Sequence, residues 1–293
     1  MKSGFVSIVG RPNVGKSTLL NSIIDRKVAI TSNVAGTTRN IIEGIYNEDN
    51  YQIIFVDTPG ISKPLNKLGK VLNKQATALT KDVDLILLVV DIDSGIGKGD
   101  KFLMDTIMEN DIPVILVINK IDRVSNETLI MAINEFKDYP FAEIVPVSAK
   151  EDDNVSHLID VIKNYLKDDI KYYSDDTITS SSVPFMAGEL VREKLLQNTT
   201  EEIPHSITCH CTNIEQKKDI VNINVDIIVD RQSIKKIIIG SGGDMLKKVG
   251  TLARRDLEEM LDKKVYLELY VKVIENWKDK ERYLKELGFF DYE

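Results

Sequence analysis

Gly10-Arg11-Pro12-Asn13-Val14-Gly15-Lys16-Ser17 follows a short apolar run at 3–9 and precedes a stretch with helical spacing at 16–25. The pattern G-x-x-x-x-G-K-[ST] between a strand and a helix is a phosphate-binding loop. Its glycines let backbone N–H groups wrap a phosphate chain, and the helix N-terminus adds oriented donors. In this reading Gly10, Asn13, Val14, Gly15, Lys16, Ser17 and Thr18 line the phosphates. Lys16 reaches the outer phosphates, and the Ser17 hydroxyl ligates Mg²⁺. A glycine-rich turn arising by chance is the bland alternative, and the strand–loop–helix setting argues against it.

Outward from this loop, strands and helices alternate. The runs 41–47, 52–56, 85–90, 114–118 and 144–147 read as strands, rich in Val, Ile and Leu. Helical patterns cover 65–80, 98–110, 126–138 and 154–167. Such alternation implies crossover connections and a mostly parallel sheet covered on both faces. The expected class is α/β over residues 1–170. A polar, aperiodic stretch at 171–184 reads as a linker. A smaller α+β domain then spans 185–293, in the order helix (185–197), strands (205–215 and 219–229), helices (231–239 and 243–261), strand (264–274) and a final helix (277–287).

Asp57-Thr58-Pro59-Gly60 closes an apolar strand forty residues after Ser17. A carboxylate there can hold Mg²⁺ through water, and the Gly60 N–H can meet a terminal phosphate. Thr37 and Thr38 lie before the second strand. A threonine hydroxyl in this segment completes the metal shell only when the terminal phosphate is present, so the segment orders and releases with nucleotide state. Thr38 is favoured over Thr37. Lys16, Thr38, Asp57 and Gly60 are therefore the expected catalytic set.

Asn119-Lys120-Ile121-Asp122 follows the run at 114–118. Asp122 can accept from both the ring N–H and the exocyclic amine of guanine. Adenine lacks that donor pair and would strand the carboxylate. Lys120 lies over the base, Asn119 bridges to the phosphate loop, and Ser148-Ala149-Lys150 offers a backbone N–H, that of Ala149, to the guanine carbonyl. GTP and GDP are the expected ligands.

The 293-residue chain carries a net charge of −8, which argues against a general nucleic-acid binder. Its distribution is uneven. Seven basic residues between Arg231 and Arg255 face one acid, Asp244, a local charge of +6. Within that stretch Gly240-Ser241-Gly242-Gly243 joins two helical patterns. Small residues there let a nucleic-acid backbone approach closely, and the next helix presents its N-terminus to phosphates. Lys247, Lys248 and Arg254 stand nearby. A solvated helix face and a tight turn are the plain alternatives. Cys209 and Cys211 alternate along a strand, and a buried-strand role is favoured over a metal site. No apolar run approaches the ~18 residues of a membrane span. The N-terminus leads straight into a strand with no room for a signal peptide, so a cytoplasmic protein is expected.

Together, Gly-Arg-Pro-Asn-Val-Gly-Lys-Ser, Gly-Thr-Thr-Arg (36–39) and Asp-Thr-Pro-Gly resemble the translation-factor-related class of GTPases. Ile-Ile-Ile-Gly-Ser-Gly-Gly (237–243), Leu-Lys-Lys-Val-Gly (246–250), Ala-Arg-Arg-Asp (253–256) and Val-Tyr-Leu-Glu-Leu-Tyr-Val-Lys-Val (265–273) resemble a type II KH RNA-binding module. A GTPase domain followed by that module resembles the Era family over essentially the whole chain. The resemblance implies a GTPase that binds the 3′ end of small-subunit (16S) ribosomal RNA, acts in assembly of the 30S subunit, and contacts the membrane peripherally. A monomer is expected. The family often carries a lysine inside the turn at 240–243, where this chain has Ser241 and Gly242. Related GTPases use an asparagine at the position of Asn13 to support K⁺, so K⁺ is a candidate second cation. Ile61 stands where Ras-like enzymes place a water-orienting glutamine, so a slow intrinsic rate is expected. Arg39 is given no role. The competing readings are an RNA-binding module with negligible turnover, and a related GTPase of tRNA modification or of the large subunit.

Overall fold

A computed structural model describes residues 1–61, 63–109 and 111–289. The expected end of the second domain at 290–293, and Asn110 at the expected end of a helix, lie outside them. The chain divides into two compact units. The first comprises Met1–Thr31, Thr38–Leu65 and Gly69–Ser180; the second comprises Ser32–Thr37, Asn66–Leu68 and everything from Ser181 onward.

The first unit carries β1 (Lys2–Val9), α1 (Lys16–Ile24), β2 (Ile42–Glu48), β3 (Tyr51–Asp57), α2 (Lys67–Ala78, its first two residues in the second unit), β4 (Leu85–Asp91), α3 (Lys98–Met108), β5 (Val114–Asn119), α4 (Asn126–Phe136), β6 (Glu143–Val147) and α5 (Val155–Lys163). The six strands form one sheet in the order β2-β3-β1-β4-β5-β6. Only β2 runs antiparallel. Every residue of β4 is buried, because a central parallel strand is covered on both faces. This is why its sequence reads as a continuous apolar run rather than an alternation.

Sheet order decides the site. Parallel strands put the loops after β1, β3, β4, β5 and β6 on one edge, where ligands of open α/β sheets bind. The antiparallel β2 pairs Ile42 with Asp57, which returns the segment before β2 to the same edge. The polar segment after α5 is no free tether. Tyr172 and Tyr173 donate their backbone N–H groups to Gln52 Oε1 at 2.8 and 2.9 Å, and Ile45 donates to the Ile178 carbonyl at 2.9 Å. Backbone pairing to β2 was invisible in a stretch without periodicity.

The second unit carries α6 (Val183–Asn198), β7 (Ile207–Gln216), β8 (Ile220–Val229), α7 (Gln232–Ile239), α8 (Asp244–Leu261), β9 (Lys264–Val273) and α9 (Glu281–Glu286). β7 pairs antiparallel with β8, and β8 pairs parallel with β9 over ten residue pairs. The parallel step needs a crossover, which α7 and α8 supply. On α8, Val249, Ala253 and Leu257 form the buried stripe at i, i+4 and i+8. Arg192 on α6 is fully buried. It survives there because Glu189 accepts from Nε at 2.8 Å and from Nη2 at 2.6 Å. Trp277 is also fully buried and donates Nε1–H to the Ser206 carbonyl at 3.2 Å. Cys209 and Cys211 form no disulfide among the described residues, and each is half-buried.

Candidate functional site

α1 starts at Lys16 with Gly15 as its N-cap. It has no side-chain cap and no acidic residue in its first turn, so its leading N–H groups are left for an external anion. Gly15 has φ +98, and a Cβ there would sit 2.2 Å from Asn119 Nδ2. Glycine is therefore required by both the backbone and the neighbour. Asn119 Nδ2 donates to the Val14 carbonyl at 2.9 Å. Its Oδ1 accepts from the N–H groups of Lys120 (2.8 Å) and Ala149 (3.0 Å). One side chain thus joins the phosphate loop to the two loops after β5 and β6. The Ala149 N–H, expected to serve the base carbonyl, is engaged by Asn119 in this structure.

Lys16 is 5% exposed, and its ammonium donates to the Gly10 and Arg11 carbonyls at 3.1 and 2.9 Å. Burial pushes it down to about 8, with the Asp57 carboxylate pulling the other way. Ser17 Oγ lies 2.6 Å from Asp57 Oδ2 and 2.8 Å from Thr38 Oγ1. Thr37 instead turns its hydroxyl to the Val34 carbonyl at 2.6 Å. Burial pushes Asp57 up to about 6, opposed by Lys16 and the Ser17 bond. Its Oδ1 is buried with no hydrogen-bond partner among the described residues. A carboxylate with one oxygen against the Ser17 hydroxyl, itself beside that of Thr38, and the other oxygen unpaired fits Mg²⁺, which prefers few protein oxygens and completes its shell with water and phosphate. Ser17, Thr38 and Asp57 would hold it.

Gly60 lies against the phosphate loop: a Cβ there would meet Pro12 N at 2.7 Å. Ile61, next in sequence, packs against the core cluster around Val9, Leu88 and Ile118, and offers no polar atom to a water. Asn13 has φ +64, and its carbonyl accepts from Lys120 Nζ at 3.0 Å. Thr18 follows on α1. Arg39 is 6% exposed, a packed residue. At the base loop, Ser148 Oγ donates to Asp122 Oδ1 at 2.6 Å. Asp122 Oδ2 faces the Arg123 guanidinium at 3.9 Å, beyond hydrogen-bond reach, so it can still accept from a ligand. Lys150 is exposed and pairs with Glu151.

Sequence reasoning missed Arg11 and Asp100. Arg11 Nε donates to Asp100 Oδ1 at 2.8 Å, and Asp100, 1% exposed, also accepts from the Gly97 N–H at 2.9 Å. This ties the phosphate loop to the first turn of α3 across 89 residues, a distance that no local pattern spans.

In the second unit, Gly240 (φ +78), Gly242 (φ +58) and Gly243 (φ +88) make the sharp turn between α7 and α8. A Cβ on Gly240 would meet Met245 N at 2.8 Å. Ser241 is exposed at the tip. Beside the turn runs a cleft of about 420 Å³, lined by Gly243, Leu246, Lys247, Gly250, Thr251, Arg254, Leu267 and Leu269. Two cations on an apolar floor suit a nucleic-acid backbone and its bases. Lys248 is exposed on the same helix, outside that lining. Arg254 Nη1 also donates to Glu258 at 2.9 Å.

The family described as 50S ribosome-binding GTPase matches residues 5–120, and the KH domain family matches 202–278. The chain is similar to Era crystallised with MgGDPNP and nucleotides 1506–1542 of 16S ribosomal RNA. That match has 40% identity over 99% of each chain and a TM-score of 0.95. It is likewise similar to a point variant of Aquifex aeolicus Era bound to GDP and AlF₄⁻, with 39% identity over 99% of each chain and a TM-score of 0.94.

Proposed function

Since this chain belongs to the Era family of GTPases, we propose that it uses GTP binding and hydrolysis to time its hold on the 3′ end of 16S ribosomal RNA during assembly of the small ribosomal subunit. It binds GTP and GDP with Mg²⁺ and hydrolyses GTP. The observation that carries guanine is the Asp122 carboxylate, oriented by Ser148. The cleft beside the glycine turn, with Lys247 and Arg254 on its wall, supports RNA.

In this reading the backbone of 10–15 and the N-terminus of α1 hold the phosphates, and Lys16 places a buried positive charge against them. Ser17, Thr38 and Asp57 hold Mg²⁺, which supplies charge neutralisation across the outer phosphates. Thr38 joins this set only with GTP, so loss of the terminal phosphate frees the segment before β2. Ile61 leaves the attacking water without a side-chain partner, which favours a slow intrinsic rate. We place K⁺ beside Asn13 as the group that speeds the reaction. GTP turnover is expected to be faster in K⁺ than in Na⁺ buffer, and Asn13→Ala should erase the difference. Equal rates for the wild type in the two buffers remove this role.

Gly240, Ser241, Gly242, Gly243, Lys247, Lys248 and Arg254 are the proposed RNA contacts. Lys247→Glu with Lys248→Glu should weaken RNA binding and lower the salt slope by about one unit per lost phosphate contact. Nucleotide affinity should stay unchanged. Filter binding across a salt series, alongside nucleotide titration, tests both; unchanged RNA affinity would misplace the surface. The deciding experiment crosslinks the protein to cellular RNA with GTP or GDP bound, and expects nucleotide-dependent enrichment of the 16S 3′ end. A monomer in the cytoplasm, with membrane contact only peripheral, completes the proposal; no helix among the described residues is long and apolar enough to cross a membrane.

A further inference from the structure

Asp91 ends β4 and lies directly beside Asn119 in the parallel β4–β5 register. That register brings an acid from a loop with no nucleotide motif against the loop that reads the base. Asp91 is 6% exposed. Its Oδ1 accepts from the N–H groups of Asp93 (3.0 Å) and Ser94 (3.3 Å), and its Oδ2 takes the Lys120 ammonium at 2.6 Å. Lys120 sits at φ +68, in the left-handed region. Its ammonium is held at two points, Asp91 on β4 and the Asn13 carbonyl in the phosphate loop. The methylene stem is therefore fixed at both ends, by the backbone at 120 and by the doubly held ammonium.

We propose that Asp91 is a positioning residue for nucleotide binding: it fixes Lys120 so that the lysine stem forms a preset wall against the face of the purine. This rests on the guanine reading of 119–122. A lysine side chain has several freely rotating bonds, and ordering it is among the larger side-chain entropy losses. Fixing the stem before the ligand arrives removes that loss from binding. Burial by itself would raise the Asp91 carboxyl. The Lys120 bond and the Ser94 contacts outweigh it and hold the group below the usual carboxylate range, so Asp91 stays ionised at neutral pH. Because the stem touches the face of the ring and not its edge, the effect does not depend on which groups the base carries. Base identity is left to Asp122.

The test is a thermodynamic cycle on the full chain with Mg²⁺. Asp91→Asn keeps the Oδ1 acceptor for the Asp93 and Ser94 N–H groups and replaces the Oδ2 that accepts from Lys120 with an amide N–H₂, so both the charge and the hydrogen bond to the ammonium are lost. It is expected to weaken GDP and GTP by about tenfold, and ITP by the same factor. Lys120→Met keeps an apolar stem without the ammonium. Adding Asp91→Asn to Lys120→Met is expected to change affinity by less than about twofold, because the partner is already gone. Melting of each ligand-free variant checks that it is folded. The proposal is overturned if Asp91→Asn binds as the wild type does, or if it costs the same factor with and without Lys120. A wild type that fails to prefer GTP would sink the guanine reading instead, and the same titrations show which has failed.

Discussion

Asp122→Asn is expected to lower GTP affinity by at least about a hundredfold and to make XTP the better ligand. Asp122 offers guanine two acceptor oxygens. Hydrogen bonds to a charged group contribute about 1.5–3 kcal/mol each, and two of them span the whole expected loss. The structure sharpens this, because Ser148 already donates to Oδ1 at 2.6 Å. In the variant, an amide that keeps its oxygen toward Ser148 turns its N–H₂ group toward two donors of guanine. An amide that flips sets its N–H₂ against the Ser148 hydroxyl, which then loses its acceptor. Xanthine carries a carbonyl where guanine carries the amine, so the same N–H₂ finds an acceptor. Titration with GTP, XTP and ATP measures the switch. A variant that still prefers GTP, or a wild type that holds ATP as tightly, would remove the base assignment and the function built on it.

Gly15→Ala is expected to destabilise the nucleotide-free protein by about 3 kcal/mol or more and to abolish measurable GTP binding. Two effects add. A non-glycine residue at φ +98 is strained by about 1–3 kcal/mol. The added Cβ also falls 2.2 Å from Asn119 Nδ2, a buried side chain that holds Val14, Lys120 and Ala149 together. Moving it leaves buried polar groups unpaired, at about 1–3 kcal/mol each. Gly95→Ala separates the two effects. Gly95 has φ +78 with open space around its Cβ position, so that variant carries backbone strain without collision. Thermal melting of both should show a much larger loss at 15 than at 95. Equal losses would mean that Asn119 does not buttress the loop.

The phosphate loop, Asp57, Asn119–Asp122 and Ser148–Lys150 were legible because each is a short run whose chemistry is carried by neighbouring residues and backbone N–H groups. The preference for Thr38 over Thr37 rested on pattern alone. The fold separates the two hydroxyls: one faces Ser17, the other closes a local turn with Val34. Ile61 could be read as a missing glutamine, but its packing against the β4–β5 core could not. The basic residues of α8 stood out in sequence. The apolar floor supplied by Leu267 and Leu269 of β9 did not, since alternation along a strand gives the face of a residue and not the helix it meets.

Sequence alone determined the alternation of strands and helices, the phosphate loop, the guanine motif and the glycine turn, because hydrophobic period and turn chemistry are local properties of the chain. Tertiary structure alone decided which further distant residues share the site: Asp91 with Lys120 and Arg11 with Asp100. Those pairings follow from strand order and register, which depend on how whole faces are buried against one another and leave no mark within a window of neighbouring residues.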